Sequence, residues 1–300
     1  MTTNSQHSQG DRLRRPSGIR SIQLGDTKVT YVPDGVAQLS SRGWLPTSTE
    51  EEWAAHSAYL DDSGYLVASL GGLLVEHGER ALLIDAGFGP QSFPAGEDGP
   101  IGAISGGTLL DSLARIGRSP ADIEAVAVTH MHVDHIGWLW QPAPGTDRLP
   151  FAHADHLVSE EEWKHRHLLE GHGISQEMTA ILEPRIRTVT DGEEIFPGVR
   201  VALSQGHTAG HASYVVSGGD GRRLIAFGDA MHTPVQVAHP EWSAVVDHDA
   251  ERSAAYRRRL AEELSAPDTI GFGIHFADVP FGRARRDGAG RPATWEPVDA

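Results

Sequence analysis

Apolar residues along this chain come in short bursts separated by glycine-rich or polar breaks, and the period changes from burst to burst. Residues 20–33 alternate well enough to predict a strand pair turning at Gly25-Asp26. Residues 34–63 are mixed and polar, but within them 50–59 reads as a short helix with Thr49 near its cap. Residues 70–76 and 80–85 flank His77-Gly78 and predict a hairpin, and Leu109, Leu110, Leu113 and Ile116 give 108–116 a helical spacing. Ser119-Pro120-Ala121-Asp122 then turns the chain into a buried strand over 123–129. Leu157-Val158 reads as a strand end, followed by a helix over 159–169 capped by Ser159. Strands follow at 185–189, 199–203, 212–216 and 223–227, the last two joined by a turn at 218–221. The clearest helix is 249–264, with Ala254, Tyr256, Leu260, Ala261 and Leu264 on one face and Asp249 or Asp247 as cap. A last core strand covers 269–274, and 283–295 reads as a hairpin around Asp287-Gly288. Residues 1–18 are polar and aperiodic, which predicts a disordered tail ahead of a single α/β domain over 19–300.

One stretch carries more chemistry than any element requires. Residues 130–135 read His-Met-His-Val-Asp-His, so His130, His132, Asp134 and His135 are candidate metal ligands within six positions. Imidazole nitrogen and carboxylate oxygen suit zinc and similar divalent ions. Four donors this close fit two neighbouring ions better than one tetrahedral ion, and each ion then needs ligands from elsewhere. His207, His211, Asp229 and His275 each sit just beyond a short apolar stretch flanked by glycine, where the ends of buried strands aim side chains into a cleft. His153 and His156 mimic a ligand pair, but only Asp155 accompanies them, which favours a structural role. His165, His167 and His172 read as solvent-facing on or after a charged helix, with contact at a cleft rim as the alternative.

Composition narrows the partners. The 300 residues are 39% hydrophobic with a formal net charge of −16, and Arg far outnumbers Lys. That field argues against nucleic acid, anionic membranes and strongly anionic substrates. Arg257, Arg258 and Arg259 form the densest basic run, read as a solvated helix face. There is no cysteine, so disulfides and thiolate chemistry are excluded. No signal-like or membrane-spanning apolar run stands out, and a cytoplasmic protein is expected.

The motifs, taken as a set, resemble the metallo-β-lactamase fold superfamily. The matching pieces are Leu83-Ile84-Asp85-Ala86-Gly87, the block 129–137, Gly206 to His211, Phe227-Gly228-Asp229 and His275. The resemblance implies a four-layer αββα sandwich with two Zn2+ per chain in a cleft at one sheet edge, although other divalent metals could substitute. It implies that His130, His132 and His207 hold the first ion, that Asp134, His135 and His275 hold the second, and that Asp229 bridges them. Asp85 is implied to orient a ligand, and His211 to serve in a core or supporting role. The bridging Asp229 and the lack of cysteine argue against the β-lactamases. His132, where di-iron members carry glutamate, favours zinc. Residues 206–211 are close to the glyoxalase pattern, but the stretch after His275 is short for the added domain of that branch. The tRNA-processing branch needs a basic exosite, against the acidic charge. Asp229 through His232, Pro234 and Trp242 looks like the quorum-quenching lactonase and methyl-parathion-hydrolase-like group.

Such a site lowers the pKa of a shared water from about 16 to near 7, so the nucleophile is a metal-bound hydroxide. The expected reaction is opening of a neutral small-molecule lactone of the acyl-homoserine type, or of a related ester. Hydrolysis of an aryl ester or phosphotriester, or metal binding without catalysis, are the alternatives. His232 stands where the lactonases carry tyrosine, as in the organophosphate-hydrolase-like members. It is a candidate to contact the oxyanion or protonate the leaving group, with Asp134 and Asp229 as the other catalytic candidates. Trp44, Trp53, Trp138, Trp140, Phe276 and Phe281 are candidate pocket walls. Core packing remains open for Trp138 and Trp140, and a contact within a homodimer for Trp44 and Trp53.

Overall fold

Strand-forming runs that alternate along the sequence pair into two sheets. The computed structural model describes residues 9–96, 99–286 and 293–298. The first sheet is built from β1 (Arg20–Leu24), β2 (Thr27–Ser40), β3 (Tyr65–His77), β4 (Arg80–Ile84), β5 (Ser92–Phe93), β6 (Ile101–Ser105), β7 (Ala125–Ala127), β8 (Asp155–Ser159) and β9 (Ile186–Val189). Its order is β5-β6-β2-β3-β4-β7-β8-β9, with β1 paired to β2. Neighbours are antiparallel up to β4 and parallel from β4 through β9. Both expected tight turns close where glycine permits a positive φ, at Gly25 and Gly78. The register pairs Leu24 with Thr27 and His77 with Arg80.

β2 runs seven residues past the expected end at position 33. The alternation is broken by a bulge between Pro33 and Gly35, which turns the Asp34 side chain inward. Buried Asp34 accepts the backbone N–H groups of Phe88, Gly89, Gly107 and Leu109 and the indole N–H of Trp138. One carboxylate thus ties the loop after β4, a helix start and a tryptophan to the sheet edge.

The second sheet holds β10 (Glu194–Phe196), β11 (Val199–Leu203), β12 (Ala212–Ser217), β13 (Arg223–Ala226), β14 (Thr269–Phe272), β15 (Phe281–Arg285) and β16 (Thr294–Pro297), side by side in chain order. Only β13 and β14 are parallel, because the helix Ala250–Glu263 carries the chain between them. The expected terminal hairpin pairs Arg283 with Glu296, while its turn at Asp287-Gly288 lies outside the described residues.

Period-2 strands bury both faces of each sheet. Between the sheets, Leu24, Tyr31, Leu73, Val75, Leu82 and Ile84 meet Val199, Tyr214, Val216, Leu224, Ile270 and Phe272. On the outer face of the first sheet, Leu74, Leu83, Val126 and Val158 pack with Leu109, Leu113, Ile136, Leu139 and Leu182, which lie on the helices Leu109–Arg115, Val133–Trp140 and Gln176–Leu182. On the outer face of the second, Leu260 and Leu264 pack on Ile225, Phe227 and Trp295. Each such side chain contributes roughly 1.5–3 kcal/mol when fully buried. The result is the four-layer αββα sandwich of the metallo-β-lactamase fold.

Several local expectations shift. The 50–59 helix is split into Glu50–Ala55, closed by a Thr49–Glu52 capping box, and a tight turn at Ser57–Tyr59. The 159–169 helix is Glu160–Lys164 followed by a tighter turn over Arg166–His172. Asp249 caps the long helix by accepting the Arg252 N–H at 3.0 Å. Arg257 on that helix is fully buried, which corrects the solvated reading of the basic run. Residues 9–18, expected to lack fixed structure, include a helical turn at Gln9–Arg12 and make ordered contacts. Among the described residues, no helix is long and apolar enough to cross a membrane.

Candidate metal centre

Four segments deliver the candidate ligands to one rim of the sandwich. The chain leaves β7 and passes His130, then places His132 at the cap of the helix Val133–Trp140, so Asp134 and His135 sit in its first turn. His207 lies in the loop from β11 to β12, Asp229 follows β13, and His275 follows β14. Two groups form, one of His130, His132, His207 and Asp229, the other of Asp134, His135 and His275.

Asp229 lies between them. Its Oδ2 is 3.7 Å from His130 Nε2 and 3.4 Å from His207 Nε2. Its Oδ1 is 3.2 Å from His135 Nε2 and 3.0 Å from His275 Nε2. Asp134 Oδ2 completes the second group at 3.6 Å from the Nε2 atoms of both His135 and His275. His132 Nδ1 is 3.0 Å from both His130 Nε2 and His207 Nε2.

These spacings fit divalent ions. Four ligands about 2.0–2.1 Å from a tetrahedral centre lie about 3.3 Å from one another. One imidazole proton cannot satisfy three nitrogens converging on a single point, whereas one cation can. Buried His135 Nε2 and Asp229 Oδ1 also have no hydrogen-bond partner, which is costly unless a cation engages them. Electrostatics agree. Burial holds His130 and His132 well below the usual imidazole range, in the neutral, ligating form. Burial would also lower His135, but Asp229, Asp134 and Asp85 outweigh it and raise its pKa. Burial would raise Asp229, yet the surrounding imidazoles hold it well below the usual carboxylate range. The donor set is short of positive charge at its centre, where a dication would supply it.

The first group is braced by carboxylates that the motifs do not reveal. His207 Nδ1 donates to Asp247 Oδ1 at 2.8 Å, and Asp247 Oδ2 faces the buried Arg257 at 3.3 Å. Burial would raise the pKa of Asp247, but His207 and Arg257 hold it at about 2. Glu162 accepts the Met131 and Gly210 N–H groups and the Thr208 hydroxyl, joining the loops that carry His130 and His207. Burial pushes the Glu162 pKa up. The loop carrying His207 approaches the start of the Glu160–Lys164 helix so closely that a Cβ at Gly210 would lie 1.8 Å from the Glu162 nitrogen.

Other expectations resolve individually. Asp85 orients His135 by accepting from its Nδ1 at 2.9 Å, while also accepting the Thr129 N–H. His211 lies outside both groups. Its Nε2 accepts the Asp229 N–H and its Nδ1 faces Ser204 Oγ at 2.7 Å, with burial pushing its pKa down to about 3. His232 stacks on His275 and lies against the edge of Trp44, with its Nε2 3.2 Å from Asp229 Oδ2. His156 is buried in the first sheet, away from the centre, and His153 is bonded to the Ile123 carbonyl. His172, expected in solvent, approaches His132 with ring centroids 5.4 Å apart and joins the pocket wall.

A cavity of about 300 Å³ opens above the centre. Its walls are Ala37, Leu39, Ala68, Leu70, Ile101 and Ile104 from β2, β3 and β6, with Trp44, Val133 and Val246. Among the described residues, no Lys or Arg lines it. Of the six aromatic candidates only Trp44 reaches the cavity. Trp138 and Trp140 pack beneath the first sheet, Trp53 packs on Trp242, Phe276 joins Phe227 and Trp295, and Phe281 lies between the sheets.

The metallo-beta-lactamase superfamily profile matches residues 72–273, which contain every candidate ligand except His275, two residues beyond the match. This chain belongs to the metallo-beta-lactamase superfamily. It is 30% identical over 174 residues to metallo-beta-lactamase domain-containing protein 1 of Xenopus laevis, a match covering 58% of this chain and 63% of that relative. It is 26% identical over 221 residues to N-acyl homoserine lactonase AiiB of Agrobacterium fabrum, covering 67% and 77%. Among solved structures, the dizinc quorum-quenching lactonase AidC superposes with a TM-score of 0.78 at 22% identity, over 95% of this chain and 98% of that one. The hydrolase AbOPH superposes with a TM-score of 0.77 at 21% identity, over 96% and 99%. For this superfamily member, the superpositions extend the likeness of fold beyond the matched region to almost the full chain.

Proposed function

We propose that this chain is a dinuclear zinc hydrolase that opens a neutral lactone of the acyl-homoserine type. The observation that carries the reading is Asp229, with one carboxylate oxygen facing each ligand group at the floor of a mostly apolar cavity. His130, His132, His207 and Asp229 would hold one ion, and Asp134, His135, His275 and Asp229 the other. When bound, such ions lower the pKa of water towards about 7 and polarise a carbonyl oxygen.

The chain's own residues do the rest. The walls formed by Leu39, Leu70, Ile101 and Ile104 take up an acyl chain and exclude water from it. With no Lys or Arg among the described lining residues to pair with a carboxylate or phosphate monoester, the cavity favours an uncharged substrate. His232, in the cavity wall beside Trp44, is positioned to contact the carbonyl oxygen or pass a proton to the leaving oxygen. Water adds to the carbonyl carbon, the ring C–O bond breaks, and the freed oxygen takes a proton. At neutral pH the new acid ionises and releases one proton per turnover. The likeness to an acyl-homoserine lactonase in sequence and to AidC in fold supports this reading.

The test pairs elemental analysis with a pH-drop assay over acyl lactones, aryl esters, aryl phosphotriesters, thioesters and β-lactams. The expected result is about two zinc per chain and acid release from acyl lactones that chelation abolishes. Nitrophenol release from phosphotriesters without lactone opening would reassign the substrate. Full zinc loading with no turnover on any member would leave a metal-binding protein.

A further inference from the structure

We propose that the N-terminal segment from Arg12 to Arg20 is a strap that positions His275, and thereby sets the metal affinity of the Asp134/His135/His275 group. The proposal rests on reading those three residues as one metal subsite. Asp278, three residues beyond His275, is 2% exposed and every polar group on it is held by the strap. Arg15 donates to Oδ2 through Nε at 2.9 Å and Nη2 at 2.7 Å. Arg20 donates to Oδ1 through Nε at 2.8 Å and through Nη2. Arg12 donates to the Asp278 carbonyl through Nε and Nη2, while the Asp278 N–H donates back to the Arg12 carbonyl.

A second contact reaches the ligand itself. The Ser17 N–H donates to Ser69 Oγ, which donates to the Ala277 carbonyl. His275 Nδ1 donates to the carbonyl of the same Ser69 at 2.8 Å. The imidazole is therefore aimed by β3, and the backbone just beyond it is pinned by the strap. That backbone is strained: Ala277 has φ 42, in the left-handed region that a residue with a Cβ avoids. Such conformations persist only where the surroundings over-determine them. Left alone, the 275–278 turn would relax and carry His275 away from Asp229 and Asp134. A buried carboxylate with no partner would be unfavourable, and two guanidinium groups on this one, with a third on the backbone carbonyl of the same residue, explain why the turn stays closed.

Zinc competition with a chromogenic chelator, on the full chain, tests this. The variants are Asp278→Asn, the pair Arg15→Ala/Arg20→Ala, and His275→Ala as reference. Disturbing residues that orient metal ligands weakens metal affinity by about 10–100-fold. That loss is expected at one of the two sites in both strap variants, with the other site unchanged and elemental content after dialysis near one zinc per chain. Restoring cations with Arg15→Lys/Arg20→Lys should recover part of the loss. Two sites of unchanged affinity in both strap variants, while His275→Ala loses one zinc, would overturn the strap. Equal weakening of both sites would also overturn it, since that marks general loosening of the fold. If His275→Ala itself keeps two full-strength sites, the subsite assignment fails, and the strap proposal falls with it.

Discussion

The two halves of the metal centre are held by contrasting means. The His130/His132/His207 half is braced by two buried carboxylates, Asp247 on His207 and Glu162, which joins the loops carrying His130 and His207. The Asp134/His135/His275 half draws support from across the chain: Asp85 orients His135, Ser69 orients His275, and the turn beyond His275 is anchored to residues 12–20. Two groups that face one shared carboxylate, Asp229, thus need not share a scaffold. One half is held by carboxylates on neighbouring segments, and the turn beyond the other is bonded to residues 12–20.

The severest way to break this division is to remove what the halves share. Asp229→Ala should abolish activity and bring bound zinc below one per chain, measured by elemental analysis. A variant that keeps two ions and full turnover would refute the bridging geometry. Next is Asp247→Asn, expected to weaken the His207 side alone by about 10–100-fold in zinc competition. It should also lower the denaturation midpoint, because Arg257 would then be a buried cation without its carboxylate.

A smaller effect lies outside both halves. Burial pushes the His156 pKa down to about 4. The unfolded chain takes up a proton near 6.5, while the folded chain resists until about 4. Stability is therefore complete above 6.5 and is lost as pH falls towards 4, by up to about 3 kcal/mol. His156→Gln should flatten this slope in urea titrations and leave the division of zinc between the sites untouched.

The sequence makes some of this architecture plain and conceals the rest for physical reasons. His130, His132, Asp134 and His135 crowd into one loop and helix start, so their chemistry shows without a fold. His207, Asp229 and His275 show through their place after strands. Glu162, Asp247 and Asp278 do not, because each is an isolated carboxylate whose partners lie far along the chain. Asp34 is concealed in the same way, and its bulge also disguises β2 as loop. Arg257 is different. Ala254, Arg257 and Ala261 follow helical spacing on the buried face, so the signal was present, but the neighbouring Arg258 and Arg259 made the run look solvated. The aromatics mislead because large rings fill cores as readily as cavities, and only Trp44 faces the opening.

The cavity wall carries its own consequence. Ala37 on β2 and Ala68 on β3 are directly paired across the strands, and both line the cavity. On the proposed function, these two small side chains, side by side in the wall, would bear on the length of the acyl tail admitted. Ala37→Val and Ala68→Val should each shift preference towards shorter tails, and the double variant should add less than the sum, because both methyl pairs intrude on the same space. Selectivity could thus drift by single small steps on a rigid surface, with the reacting centre left alone.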